Sequence, residues 1–247
     1  MLARELSVLL RVLVLAAISG YGTPSLAGSL QVSTVTLDVA SPGAATAIGL
    51  RNSGSEPFNA QLRVFKWTQK SGAEELTSTD EVVVSPPFAA IEPGREYTVR
   101  VVRVARAPLQ EEASYRLLID ELPKAGANQA AIGVKFAVRY SIPVFFGPVA
   151  QAPASLAWRA EAGHGQLRLT ATNAGKKRVR LAKLKLEEPG GNSMIHQDGL
   201  VGYVLAGSTM SWTFPLPKGR TLSGPALLVA ESDRGQINAR IPLAPLP

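Results

Sequence analysis

The sequence contains no cysteine and only two histidines, His164 and His196, in 247 residues. No helical pattern follows the first residues, so the histidines have no i, i+4 scaffold and zinc spacing cannot be built from them. Both stand beside glycine-rich or polar stretches and read as surface loop residues. The carboxylate doublets Glu74-Glu75, Glu111-Glu112 and Glu187-Glu188 flank turn signals. Neighbours on a strand point to opposite faces, so such doublets do not converge on an acid/base pair and read as solvated loop charges. A Gly-x-Ser-x-Gly elbow, a phosphate-binding Gly-Lys loop and a dinucleotide fingerprint are all missing, and "PGGN" at Pro189 lacks a strand-to-helix context. No catalytic residue, metal or cofactor is therefore expected, and the chain does not read as an enzyme. The missing thiols also mean that every core must hold without a disulfide, in any compartment.

Long apolar runs are equally scarce. The only one, Val12 to Ile18, follows Arg4 and Arg11 and precedes small residues at Ser25 and Ala27, the layout of a secretory signal peptide cleaved after Ala27. It is too short to span a bilayer, and no later run is longer, so the mature chain is expected to be exported and not membrane-embedded. Removing residues 1–27 takes the formal net charge from +7 to +6. That charge does not make a nucleic-acid binder. The one dense basic cluster, "GKKRVRLAKLK" from Gly175 to Lys185, alternates basic and apolar residues from Val179, as a strand with one wet face does.

What remains is a succession of short β-strands punctuated by Gly, Pro, Asn and Ser. In the first half they fall near Leu30–Val39, Ala45–Asn52, Phe58–Gln69, Val82–Val84, Glu96–Val104, Ser114–Leu122 and Val134–Phe146. In the second they fall near Ser155–Ala160, Gln166–Asn173, Val179–Glu187, Leu200–Val204, Met210–Pro215, Ala226–Ser232 and Gln236–Pro242. The stretch "GPVAQAPAS" lies between them, with residues 148–154 as linker, and predicts domains over 28–147 and 155–247. "IGLRNSGSEP" and "LTATNAGKKR" echo each other as a strand ending in Asn followed by a Gly turn, so two consecutive β-sandwiches of similar plan are expected.

"GVKFAVRYSIPVFF", Gly133 to Phe146, alternates so regularly that Val134, Phe136, Val138 and Tyr140 share one face. Those residues either fill their own core or, since the strand closes its domain, lie on a sheet edge. A long apolar edge is an aggregation hazard unless a partner pairs with it, by strand addition or by self-association.

Four motifs carry a resemblance. "IGLRNSGSEPFNAQLRVFKW", "VSPPFAAIEPGREYTVRV" with Arg100, "SYRLLIDELP" with Glu121, and "SIPVFFGP" occur in the order and spacing of the periplasmic chaperones of the chaperone–usher pilus pathway, which the chain resembles over most of its mature length. The resemblance implies two immunoglobulin-like domains in an L shape and a pilin subunit bound in the cleft. It also implies donor-strand complementation of that subunit by Val134, Phe136, Val138 and Tyr140, and delivery to an outer-membrane usher. No nucleotide or metal is implied.

The family's cleft pair, an Arg on the first strand and a Lys on the last strand of domain one, is missing. "LQVSTVTLDVAS" has no basic residue, and the Lys position falls close to Pro143. The pattern "YRLLIDELP … VRYSIPVFF" is more similar to the archaic branch, which shifts anchoring of the subunit carboxylate to Arg116 and Arg139, whose forked guanidinium suits a bidentate grip. The alternatives for both are plain exposed strand arginines, or partners of Asp120 and Glu121. Glu121 and Asp233 match the acidic members of the family's interdomain ion pair, while Gly147 stands where an Arg often precedes the linker proline. "SPP", Ser85 to Pro87, leaves cis and trans open. A secreted two-sandwich adhesive or carbohydrate-binding module is the competing reading. It would need exposed aromatics, whereas Trp67, Trp158 and Trp212 all sit on expected strands and read as core.

Overall fold

The computed structural model describes residues 30–122, 138–148, 155–188, 191, 193–216 and 224–246. In chain order the first half carries β1 (Leu30–Val32), β2 (Leu37–Ala40), β3 (Ala45–Asn52), β4 (Phe58–Lys70), β5 (Ala73–Ser78), β6 (Val82–Ser85), β7 (Phe88–Ile91), β8 (Glu96–Arg103), β9 (Ala113–Glu121) and β10 (Arg139–Gly147). The second carries β11 (Leu156–Gly163), β12 (Gln166–Asn173), β13 (Val179–Glu187), β14 (Ser193–Val204), β15 (Thr209–Pro215), β16 (Ala226–Ser232), β17 (Gly235–Ile241) and β18 (Leu243–Pro245). Sheets β1-β3-β8-β6 and β2-β10-β9-β4-β5, with β7 also on β4, face each other in the first half, and β15-β12-β11-β18 and β14-β13-β16-β17 in the second. The fold is all-β, two immunoglobulin-like sandwiches in series.

Period-two alternation builds both cores. Ile48, Leu50, Val99 and Val101 from one sheet meet Leu62, Leu117, Ile119 and Val144 from the other, each at most 1 % exposed. A fully buried side chain of this kind contributes about 1.5–3 kcal/mol, which is how sandwiches of this size dispense with disulfides. In the second half Leu167, Leu169, Leu184, Leu186 and Leu228 play the same part. The basic cluster is β13, with Leu181, Leu184 and Leu186 inside and Arg180, Lys183 and Lys185 outside.

The echo between the halves has a physical basis. Asn52 ends β3 fully buried; its Nδ2 donates to the Glu56 carbonyl (2.7 Å) and the Ile91 carbonyl (2.8 Å), and its Oδ1 accepts from Gly54 N (2.9 Å). Asn173 ends β12 in the same way, donating to Lys177 O (2.9 Å) and Val204 O (3.1 Å) and accepting from Gly175 N (2.9 Å). Each Asn closes the turn that its own strand enters, a use of short polar side chains at chain reversals.

Several expectations are corrected. Leu30–Val39 is not one strand: β1 and β2 belong to different sheets, because Thr34 Oγ1 donates to Thr36 O (2.8 Å) and bends the chain between them. "KSGAEE" is not all turn; Ser71 and Gly72 make the reversal with positive φ (51° and 80°) and β5 starts at Ala73. β5 was hidden because all six of its residues are exposed and show no alternation. β14 starts at Ser193, not Leu200, since register shifts in its pairing with β13 break the pattern, and His196 lies on this strand instead of in a loop. His164 does sit in a turn, between β11 and β12. The Ser85–Pro86 bond is cis.

Candidate functional site

β10 is where the sequence places the partner-binding strand, and its two ends have different neighbours. Arg139 to Phe146 pair antiparallel with Ala113 to Asp120 of β9. On the other flank β2 runs parallel to Val144–Gly147 only. Arg139 to Pro143 thus have one partner strand, and no described strand occupies their second flank. The expectation of a simple edge strand is corrected: the second half of β10 is interior, and only its first half is an edge.

The inward face follows parity. Ile142, Val144 and Phe146 are buried in the first core. Tyr140, grouped with the donor residues by alternation, packs against this same core, and its hydroxyl donates to Leu30 O on β1 (2.5 Å), which ties it to its own sandwich and corrects that grouping. Burial pushes its hydroxyl pKa up, and the Glu121 charge adds to the rise. Val138 is half-buried beyond the strand's start, its N–H donating to Glu121 Oε2 (3.3 Å) and its carbonyl accepting from Glu121 N (3.0 Å). Val134 and Phe136 lie outside the described residues.

The opposite face of this sheet carries the charges. Asp120 lies between Arg63 Nη2 (2.7 Å) and Arg139 Nε. Burial alone would raise the Asp120 carboxyl, but the hydrogen bonds from Arg139 and Arg63 outweigh it and hold the group below its ordinary range. Arg139 is therefore paired as the alternative reading had it.

Arg116 differs. Its guanidinium lies over the Trp67 ring (3.7 Å to the centroid) and 6.0 Å from the centroid of Tyr203. Glu74 Oε2 on β5 is 3.6 Å from its Nη2, too far for a hydrogen bond. Among the described residues no acceptor hydrogen-bonds this fork, although the side chain is only 15 % exposed. Burial lowers its pKa, partly offset by Glu74.

Trp67 also belongs to the joint between the halves, a buried cluster with Phe145, Tyr203 and Leu205. Gln69 Nε2 donates to Tyr203 O (2.8 Å) and its Oε1 accepts from Leu205 N (3.0 Å). Ser211 N donates to Gly72 O (3.1 Å), so the β4–β5 turn adds a rung to β15. Arg178 closes the joint: Nη1 donates to Glu112 Oε2 (2.6 Å), Nη2 to Asp38 Oδ1 (2.6 Å) and its backbone N to Glu112 Oε1 (3.0 Å), with the guanidinium 3.5 Å over Phe145. Burial pushes the Glu112 carboxyl up against the opposing pull of Arg178.

The expected interdomain acids are not brought together. Glu121 is at the far end of β9 from Glu112, and Asp233 is exposed in the β16–β17 turn. Gly147 leaves room beside Glu112, where an added Cβ would stand 3.4 Å from its Cγ, and the cation arrives instead from the second half as Arg178. Nothing in the sequence marked Arg178, Glu112 and Asp38 as one group. Glu112 belongs to a doublet that read as solvated loop charge, and its partner is 66 residues away. Trp67 is buried, and Trp158 and Trp212 pack against the second half's core.

Two joined sandwiches, one with a strand left half-clasped beside an unfilled guanidinium, define a binding protein. Residues 29–152 match the family described as pili and flagellar-assembly chaperone, PapD N-terminal domain, and the chain belongs to it. This is a family of assembly chaperones, not of enzymes. Among solved structures, the chain is similar to one in the chaperone–tip adhesion subunit pre-assembly complex CsuC–CsuE from archaic chaperone-usher Csu pili of Acinetobacter baumannii, with 27 % identity, TM-score 0.67, and 87 % of this chain and 98 % of that one covered. It shares its fold with the Salmonella enterica SafA pilin–SafB chaperone complex (19 % identity, TM-score 0.59, covering 86 % and 96 %). The E. coli chaperone DraB has the same fold (19 % identity, TM-score 0.55, covering 85 % and 98 %). No curated protein matches by sequence.

Proposed function

We propose that the chain is exported to the periplasm with loss of residues 1–27, binds pilus subunits there by donor-strand complementation, and passes them to an outer-membrane usher. Its boundaries in this reading are a subunit-binding domain over 28–147, a linker over 148–154 and a second sandwich over 155–247. The observation that carries it is the change of flank along β10, held on both sides from Val144 to Phe146 and on one side from Arg139 to Pro143 among the described strands. A subunit strand lying along that flank takes main-chain hydrogen bonds, each about 0.5–1.5 kcal/mol net, and the alternating face supplies its core with Val138, Phe136 and Val134.

Arg116 serves as the carboxylate anchor in this scheme. It stands directly opposite Pro143, at the level where the free flank ends, and its five N–H donors make no hydrogen bond to a described residue, with Glu74 held off at 3.6 Å. Arg139 suits the role less well, because Asp120 already neutralises it.

The test is co-expression with a pilin from the same operon, followed by affinity capture of the chaperone from periplasmic extract. Val138→Asp is expected to abolish recovery of the pilin while far-UV spectra and the unfolding midpoint stay at wild-type values. Undiminished recovery with Val138→Asp and with Phe136→Asp would overturn the donor-strand reading.

A further inference from the structure

Arg116 and Glu74 lie on strands either side of β4, and meet across the outer face of Trp67. One of the two is fixed and the other is not. Arg116 is stacked on the indole, close to Tyr203, and mostly covered. Glu74 is on β5, a strand exposed at every position, with a second flank that no described strand occupies. Its side chain is 38 % exposed and its carboxylate stays 3.6 Å from the guanidinium, whereas Arg178 draws Glu112 and Asp38 to 2.6 Å. Its neighbour Glu75 points to the other face and pairs with Lys70 (3.2 Å).

We propose that Glu74 is an internal stand-in for the subunit's terminal carboxylate, holding Arg116 loosely in the empty chaperone and swinging away when a chain-end carboxylate takes both prongs of the fork. The geometry suits exchange. A stacked, pre-oriented guanidinium binds a carboxylate bidentately, and Glu74, tethered on β5, does not reach that position. A long, half-exposed ion pair is weak, so displacing it costs little, yet it keeps a partly buried cation from standing alone. Capture at this site thus selects ligands that bring a carboxylate better placed than the resident one. The inference rests on Arg116 being the anchor.

The test uses the full mature chain, 15N-labelled, titrated with N-acetyl-Leu-Val bearing a free carboxylate and with its C-terminal amide, while the Arg116 Nε–Hε resonance is followed by NMR. The acid is expected to shift this resonance and the amide to leave it in place. Glu74→Gln is expected to tighten the dissociation constant of the acid about 1.4- to fivefold, the exposed-pair range converted to affinity, and Glu75→Gln to change nothing. Glu74→Thr, suited to an exposed strand, repeats the measurement if the Gln variant is unstable. If the acid fails to shift Arg116 in wild type and in Glu74→Gln alike, Arg116 is not the anchor. If wild type responds and the Glu74 variants bind no more tightly, the anchor stands and the displacement idea is wrong.

Discussion

Arg178 and Arg116 stack on neighbouring rings of one aromatic cluster, Phe145 and Trp67, and their circumstances are opposite. Arg178 is buried and gives hydrogen bonds to two carboxylates from the first half. Arg116 is nearly as well covered and gives none among the described residues. A filled guanidinium fastens two parts of a protein together, because neither charge can leave without stranding the other in a poor solvent. An unfilled one, stacked and pre-oriented, keeps its fork open to a carboxylate, and the proposed anchoring role of Arg116 rests on that contrast.

The largest expected effect breaks the fastener. Arg178→Ala leaves Glu112 buried without its cation and should cost about 3–5 kcal/mol, read by urea denaturation as a lower midpoint, with the two halves separating into distinct transitions. An unchanged midpoint would mean that the joint is held by the aromatic cluster alone. Next in size, Arg116→Ala should remove the stacking contribution and the weak Glu74 pair, together about 1–2 kcal/mol, while recovery of a co-expressed pilin falls at least about tenfold, the loss of one charge-assisted bond pair. Lys66→Ala is the control: Lys66 pairs with Glu81 (2.8 Å) at a half-exposed site away from β10, so recovery should be retained. Equal retention by both variants would erase the distinction drawn between the two arginines.

The smallest effect is on pH dependence, and it sharpens the comparison from the carboxylate side. Asp120 is held below its ordinary range in the fold, so it contributes stability above its unfolded value and loses it as pH falls through the depressed value. Glu112 is held above its range, so its contribution is full below the unfolded value and declines as pH rises through the raised one. Thermal midpoints measured from pH 7 down to about pH 3 should fall on the acid side, and Asp120→Asn should flatten that fall. A variant curve parallel to wild type would show that the Arg63–Asp120–Arg139 group does not contribute to acid stability.

Legibility in the sequence followed the physics of each element. Strands with one wet and one dry face, such as β3, β12 and β13, announced themselves by alternation, and the two Asn-ended strands even revealed a shared turn. β5 stayed hidden because it is wet on both faces, and β14 because its bulges break the period. Arg116 was visible as a basic residue on an expected strand, but not its stacking on Trp67. What the sequence withheld was the pairing of charges. Arg178 lay inside a basic run that read as solvated, Glu112 inside an acidic doublet that read the same way, and only the packing of the two sandwiches turns them into a buried pair. Single-residue chemistry is local, whereas partners 66 residues apart are a property of topology.

Pro143 has a consequence of its own. It falls between the stretch of β10 that meets β2 and the stretch that does not, and, lacking an N–H, it has nothing to donate to a neighbour on either side. In the proposed donor-strand scheme, a guest strand on the open side would therefore stop at this residue, because the next position, Val144, is already taken by β2. The scheme thus makes the proline a length gauge: guests whose chain end arrives in step with it fit flush, and longer tails leave the sheet.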